Sequence, residues 1–309
     1  LINNENNKVH TLPTEYDNEW IRDTWGWDTP EEFIRAQGRN LRPRVKYCLE
    51  IADMQQGMRI LDIGCGRGEV VLHCARQGIY AIGVDYSKEV LSIAQAALDT
   101  HTPEERSFMK FICDDVKNIV SEGPFDRIFM LDLVEHLHDW ELNELLQHCR
   151  KLLKPDGQII IHTLPNRWLY EITYRRILRL AMPWLPGDPR SEKEKSIHIN
   201  EMSITHLNRL LKANGFNCHV WLHDMIIDQA QWHAQKHLLD RREGLYKSMR
   251  NPLVAAIFRF LNKTPLRLLI TNDIFAVAIF KDKHISYNKF IHKNWTESLI
   301  CQIVRKKSN

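Results

Sequence analysis

The chain has 309 residues, 44% of them hydrophobic, and a formal net charge of +3. That length gives one large domain or one domain with sizeable insertions, and the near balance of charge argues against a general nucleic-acid binder. Seven scattered cysteines (Cys48, Cys65, Cys74, Cys113, Cys149, Cys218 and Cys301), with no CxxC pair, argue against a zinc knuckle and for reduced thiols in the cytoplasm. No stretch reads as a secretory signal, and no uncharged apolar run approaches the roughly 20 residues that span a bilayer.

The polar ends, "LINNENNK" and "VRKKSN", read as frayed. Residues 1–40 read as a helical, aromatic cap segment. Its Trp20, Trp25 and Trp27 suit packing on a sheet or lining a sugar, lipid or ring pocket. The expected core is 41–222. Ile60–Ile63 is a strand that ends in glycines, and Glu69–Gln77 is helical. Ala81–Val84 is a second strand, and Ser87 caps the helix "SKEVLSIAQAAL". "FMKFICDD" and "FDRIFMLD" read as the third and fourth strands. "WELNELLQHCRKLLKPDG" reads as a helix stopped by Pro155 and Gly157, and "QIIIHTLPN" as a fifth strand. This alternation predicts an α/β, doubly wound, mainly parallel sheet with helices on both faces. Ligands of such sheets bind at the carboxyl ends of the strands.

Gly64, Gly66 and Gly68 directly follow the first strand, where glycine permits a tight turn and close approach of a ligand to the backbone. Asp85 ends the second strand, where a carboxylate can take both hydroxyls of a ribose. The pair points to a ligand carrying a nucleoside. The spacing is GxGxG, not the GxGxxG of a dinucleotide fold.

At these residues the sequence resembles the class I S-adenosylmethionine (SAM) dependent methyltransferases. "LDIGCGRGE" looks like their first motif, Asp85 matches their ribose-binding acid, and "FICDDVKNI" looks like their adenine motif. Asp115 is the best match for the adenine amino group, with Asp114 as the alternative. "FDRIFMLDLVEHLHD" and "LLKPDGQIIIHTLPN" match the fourth and fifth strands. The resemblance implies a Rossmann-like seven-stranded sheet with its last strand antiparallel, and "NDIFAVAIF" within 272–283 suits that strand. It also implies a cofactor site made of Asp62, Gly64, Gly66, Gly68, Asp85, Tyr86, Asp114, Asp115, Val116 and Leu131. A sulfonium methyl is already activated, so transfer needs mainly in-line positioning and, for a hydroxyl, removal of a proton.

"LDLVEHLHDW" follows the fourth strand. Residues i and i+3 of a helical turn share a face, so Asp132 and Glu135 are expected to converge, with His136 beside them. His198, in "KSIHINEMS", lies on the loop expected to return over the substrate. The arrangement resembles the quinone-pathway O-methyltransferases and the small-RNA 3′-terminal ribose methyltransferases, whose ExxEH motif holds two acids and a histidine. Here the first acid is the shorter aspartate. The expected catalytic set is therefore Asp132, Glu135, His136 and His198. The same four are the expected ligands if Mg2+ or Mn2+ is used. The competing expectation is that the glutamate caps a helix and the histidine packs.

Two segments exceed the minimal fold. In the lid insertion 167–195, a helical wheel of "WLYEITYRRILRLAM" puts Arg175, Arg176 and Arg179 in one arc. Leu169, Tyr170, Ile177, Leu180 and Ala181 fill another. Such a helix packs on its own domain, lids an amphiphilic substrate or rests on an anionic membrane through residues 167–186. The helical insertion 223–271 separates the sixth and seventh strands, and 284–309 is a tail. The leading reading is a SAM-dependent O-methyltransferase, cytoplasmic or peripheral to a membrane, acting on a small-molecule, glycan or lipid acceptor. The alternatives are a metal-assisted RNA ribose 2′-O-methyltransferase, a nucleotide-dependent oxidoreductase and a non-catalytic SAM-binding protein.

Overall fold

A computed structural model describes residues 29–118, 122–181, 183–184, 188, 192–236, 247 and 249–283. Trp20, Trp25, Trp27, Cys301 and the tail lie outside the described residues. Seven strands form one sheet: β1 (Arg59–Ile63), β2 (Tyr80–Asp85), β3 (Met109–Cys113), β4 (Phe125–Leu131), β5 (Leu153–Thr163), β6 (Phe216–Leu222) and β7 (Ile274–Phe280). Their order is β3-β2-β1-β4-β5-β7-β6. β7 runs antiparallel to both β5 and β6, as the resemblance implied.

Strand side chains alternate between faces, and the central strands are apolar on both. Leu61, Ile63, Ile128, Met130, Ile159 and Ile161 enter one core. Their strand neighbours Ile60, Phe129 and Ile160 enter the other. Each such side chain, fully buried, stabilises the fold by roughly 1.5–3 kcal/mol. Helices cover both faces. α1 (Pro30–Arg35), α2 (Pro43–Ala52), α3 (Glu69–Ala75) and α4 (Lys88–Asp99) cover the second face. α5 (Asp139–Leu152) and α6 (Ile204–Ala213) cover the first. The Ser87 hydroxyl accepts from the Val90 amide and caps α4, as its sequence position predicts. α7 (Ile226–Lys236) and α8 (Pro252–Leu261) lie between β6 and β7.

Two local expectations need correction. α5 ends at Leu152, and β5 begins at Leu153, before Pro155 is reached. Pairing of Leu153 with Phe125 across a register shift in the β4–β5 ladder outweighs the helical pattern of "RKLL". The lid segment does not keep the 3.6-residue period assumed by the helical wheel. Leu169–Leu178 is wound as a π-helix, and Ile177 and Leu180 of the apolar arc are exposed. The wider i→i+5 winding displaces residues from the faces that a 3.6-residue period assigns.

Candidate active site

The turn after β1 is built on backbone conformations that favour glycine. Gly64, Gly66 and Gly68 have φ of 68°, 53° and 84°. At Gly68, which caps α3, an added Cβ would stand 2.5 Å from the Phe111 ring. The Gly64 and Cys65 amides both donate to the Val84 carbonyl, which docks the turn onto β2. Asp85 then bridges the two loops. One carboxylate oxygen accepts from the Gly66 amide at 2.9 Å and the other from the Ser87 amide at 2.9 Å. The Tyr86 amide also bonds to this carboxylate; a carboxylate offers about four lone-pair positions, so acceptor capacity for a ligand hydroxyl is left. Burial holds the Asp85 carboxyl above its usual range, against the amides that favour the charged form. Asp62 is buried at the end of β1. Burial, then Glu69 and Asp85, push its carboxyl well up.

The other predicted cofactor residues lie along the same edge. Tyr86 follows β2 and is exposed, and Leu131 ends β4, half-buried. Past β3, Asp114 accepts from the Asp115 amide and from Asn118, both at 2.7 Å, which closes that turn. Asp114 and Asp115 are exposed, and Val116 is buried beneath them.

The structure brings together three of the four predicted catalytic residues. Potential ligand atoms of Glu135, His136 and His198 lie within 4.8 Å of one another. Glu135 is buried in the 3-10 turn Val134–His136 and accepts from the Thr163 hydroxyl at 2.7 Å. Burial, then the Asp132 charge, push its carboxyl up to about 8. Nδ1 of His136 faces the Ile197 carbonyl at 2.9 Å, which makes Nε2 the ring's acceptor and ligand atom. Burial lowers the His136 pKa and favours the neutral ring. The His198 ring stands 5.0 Å from that of His136, edge to face. The returning loop is pinned here: the Asn200 amide donates to the Glu135 carbonyl, and its side chain donates to the Leu137 carbonyl and to Asp139.

Asp132 does not join them. It precedes the helical turn with φ of 53°, so the i, i+3 face expected from sequence is never formed. Its carboxylate meets His162 Nδ1 at 2.5 Å and Arg44 at 2.9 Å, with Arg42 at 3.6 Å. Burial alone would raise its pKa. Arg44, His162 and Arg42 outweigh that and hold it well below the carboxylate range. The other nitrogen of His162 meets Asp273 at 3.1 Å. Burial would lower the His162 pKa, but the two carboxylates lift it to about 9. Arg42 also pairs with the buried Glu69 at 2.7 Å.

Sequence reasoning missed His162, Thr163, Asp273, Arg42 and Arg44. Two arginines in "LRPR", at the cap and in the first turn of α2, gave the only signal, because nothing local shows which carboxylate they face.

A family profile described as a methyltransferase domain matches residues 33–220. The chain belongs to the methyltransferase-domain family. Its fold is that of the class I SAM-dependent methyltransferases, with the same seven-stranded sheet and antiparallel last strand. Among curated relatives of this methyltransferase, the ubiquinone biosynthesis O-methyltransferase of Proteus mirabilis (strain HI4320) is 32% identical over 149 residues. That match covers 47% of this chain and 57% of the relative. The chain thus spans about half the length of the curated relatives it matches. Phosphoethanolamine N-methyltransferase 2 of Haemonchus contortus superposes with a TM-score of 0.53 at 17% identity, covering 89% of this chain and 61% of that one. A SAM-dependent methyltransferase of Thiobacillus denitrificans, solved with S-adenosylhomocysteine, superposes with a TM-score of 0.50 at 15% identity. It covers 85% of this chain and 98% of that one. At these identities the solved structures speak for the fold alone.

Proposed function

We propose that this methyltransferase moves a methyl group from SAM to a hydroxyl oxygen of a small-molecule acceptor. The observation that carries the reading is the meeting of Glu135, His136 and His198 within 4.8 Å, just past the strand beside the glycine turn. The N-terminal half of the edge fits the cofactor: a glycine turn open to close approach, and an Asp85 carboxylate with acceptor capacity left for a ribose hydroxyl. The motif favours Asp115 as the adenine contact, with Asp114, whose bonds to the Asp115 amide and Asn118 both fall on one carboxylate oxygen, as the alternative. When bound, SAM supplies an electrophilic sulfonium methyl.

The chain's own work is to hold the acceptor in line and to relieve its hydroxyl of a proton. His136, neutral and held at Nδ1, presents Nε2 for that proton. A divalent cation also fits the three residues, whose donor set would be one carboxylate and two imidazoles. Without Asp132 that set is richer in nitrogen than the sequence suggested, which favours Mn2+ over Mg2+. Residues 167–186, with Arg175, Arg176 and Arg179 exposed, are read as the segment that meets the acceptor and a peripheral anionic membrane.

The test is incubation with methyl-labelled SAM and separate pools of small metabolites, lipids, glycans and RNA. Label in the small-molecule pool supports the reading, and label confined to RNA overturns it. Absence of SAM binding in a calorimeter removes it altogether.

A further inference from the structure

α8, "PLVAAIFRFL", is apolar apart from Arg259, yet it is not enclosed. Its inner side carries buried Ala255 and half-buried Val254, Phe258 and Leu261. Its outer side carries Leu253, Ala256, Ile257 and Phe260, spaced i, i+3, i+4, i+7 along one stripe. Leu253 is 69% exposed, Ile257 52% and Phe260 66%. Leu266, just beyond the helix, is 50% exposed. A contiguous apolar stripe on a helix whose other side is already packed is the kind of exposed patch that marks a partner surface.

Charge indicates which partner. Between Arg250 and Thr271 the sequence has no aspartate or glutamate, while Arg259 and Lys263 are exposed on and just past the helix. The segment is also tied to the lid insertion. Thr173 of the π-helix donates to the Leu269 carbonyl at 2.5 Å, and the turn Arg267–Ile270 packs against that π-helix. The lid repeats the same chemistry, with Leu180 83% exposed and Trp184 77% exposed beside Arg175, Arg176 and Arg179. Exposed apolar side chains among cations, on two segments linked through the Arg267–Ile270 turn, match the requirements of an anionic lipid surface: apolar area for the acyl boundary and positive charge for the headgroups.

We propose that α8 is a second membrane-contacting element, whose Leu253–Ile257–Phe260 stripe seats in an anionic lipid surface together with the lid. The proposal deepens the membrane contact read for residues 167–186 and rests on it only for the shared surface. It makes no demand on the methyl-transfer chemistry.

Vesicle flotation of the whole protein tests it, with phosphatidylcholine alone and with phosphatidylcholine mixed equally with phosphatidylglycerol. The protein should float with the mixed vesicles only, and added salt should weaken binding. Leu253→Ser combined with Ile257→Ser and Phe260→Ser should weaken it by roughly tenfold or more, since each lost apolar contact removes insertion energy. The charge reversal Arg259→Glu with Lys263→Glu, which leaves every apolar contact in place, should weaken it comparably and covers the case in which the serine variant does not fold. If both α8 variants bind like the parent while Arg175→Gln with Arg176→Gln and Arg179→Gln does not, the lid binds alone and α8 is excluded. If the parent ignores anionic vesicles, both contacts fall. If it instead sediments as a dimer that the serine variant abolishes, the stripe is a self-association face and the proposal is overturned.

Discussion

Asp132 and Glu135, three residues apart, bond to opposite faces of the sheet edge. Asp132 meets His162 and Glu135 accepts from Thr163, adjacent residues of β5 whose side chains leave in opposite directions. The DxxEH motif is thus split. One acid joins a buried ionic cluster with Arg44 and Asp273, and the other joins His136 and His198.

That split predicts unequal variants. If a cation is held by the trio, chelation abolishes turnover and Mn2+ restores it. Glu135→Gln and His198→Ala lose that restoration, whereas Asp132→Asn keeps it while losing stability. If His136 acts as base alone, chelation has no effect and His136→Ala lowers turnover by about 10²–10⁴-fold. Steady-state assays with and without chelator separate the two.

Asp85→Ala should weaken binding of SAM or S-adenosylhomocysteine by roughly 1.5–3 kcal/mol, since charge-assisted hydrogen bonds are lost. The variant also frees the Gly66 and Ser87 amides, so its ligand-free melting temperature should fall too. Calorimetry giving parental affinity would remove Asp85 from the ribose site.

His162 should make stability depend on pH in a stated direction. Folding raises its pKa to about 9 from an unfolded value near 6.5. Its contribution is therefore fully present below about pH 6.5 and is lost as pH rises through about 9. Near pH 6, His162→Gln should cost roughly 3–5 kcal/mol, the usual range for breaking a buried charge pair. The difference from the parent should shrink above about pH 9.5. Urea midpoints for both proteins across this range check it, and a pH-independent difference would refute the charged state.

Gly68→Ala and Gly57→Ala separate backbone strain from steric clash. Gly57 has φ of 86° with nothing within 4 Å of where an alanine methyl would stand, whereas at Gly68 the methyl meets the Phe111 ring at 2.5 and 2.7 Å. Both substitutions should cost about 1–2 kcal/mol of left-handed strain. Gly68→Ala should cost roughly 1–3 kcal/mol more for overpacking. Denaturant unfolding of the two variants measures the gap.

The sequence by itself determined what is local in period or conformation. Alternating apolar runs specified the central strands, because a strand buried on both faces must be apolar at both parities. The glycines after β1 and Asp85 after β2 were legible because a ligand turn demands backbone freedom and a carboxylate at fixed places along the chain. His136 and His198 could be paired because the loop after β5 returns over β4 in this fold. Tertiary structure alone decided the rest. The partner of Asp132 depended on the parity of β5, since His162 and Thr163 look alike as neighbours in sequence but face different cores. The end of α5 depended on Leu153 finding Phe125 across the sheet. The exposure of Ile177, Leu180 and the α8 stripe depended on how the insertions wind and dock. A hydrophobic pattern reports which residues avoid water, not which surface they avoid it against.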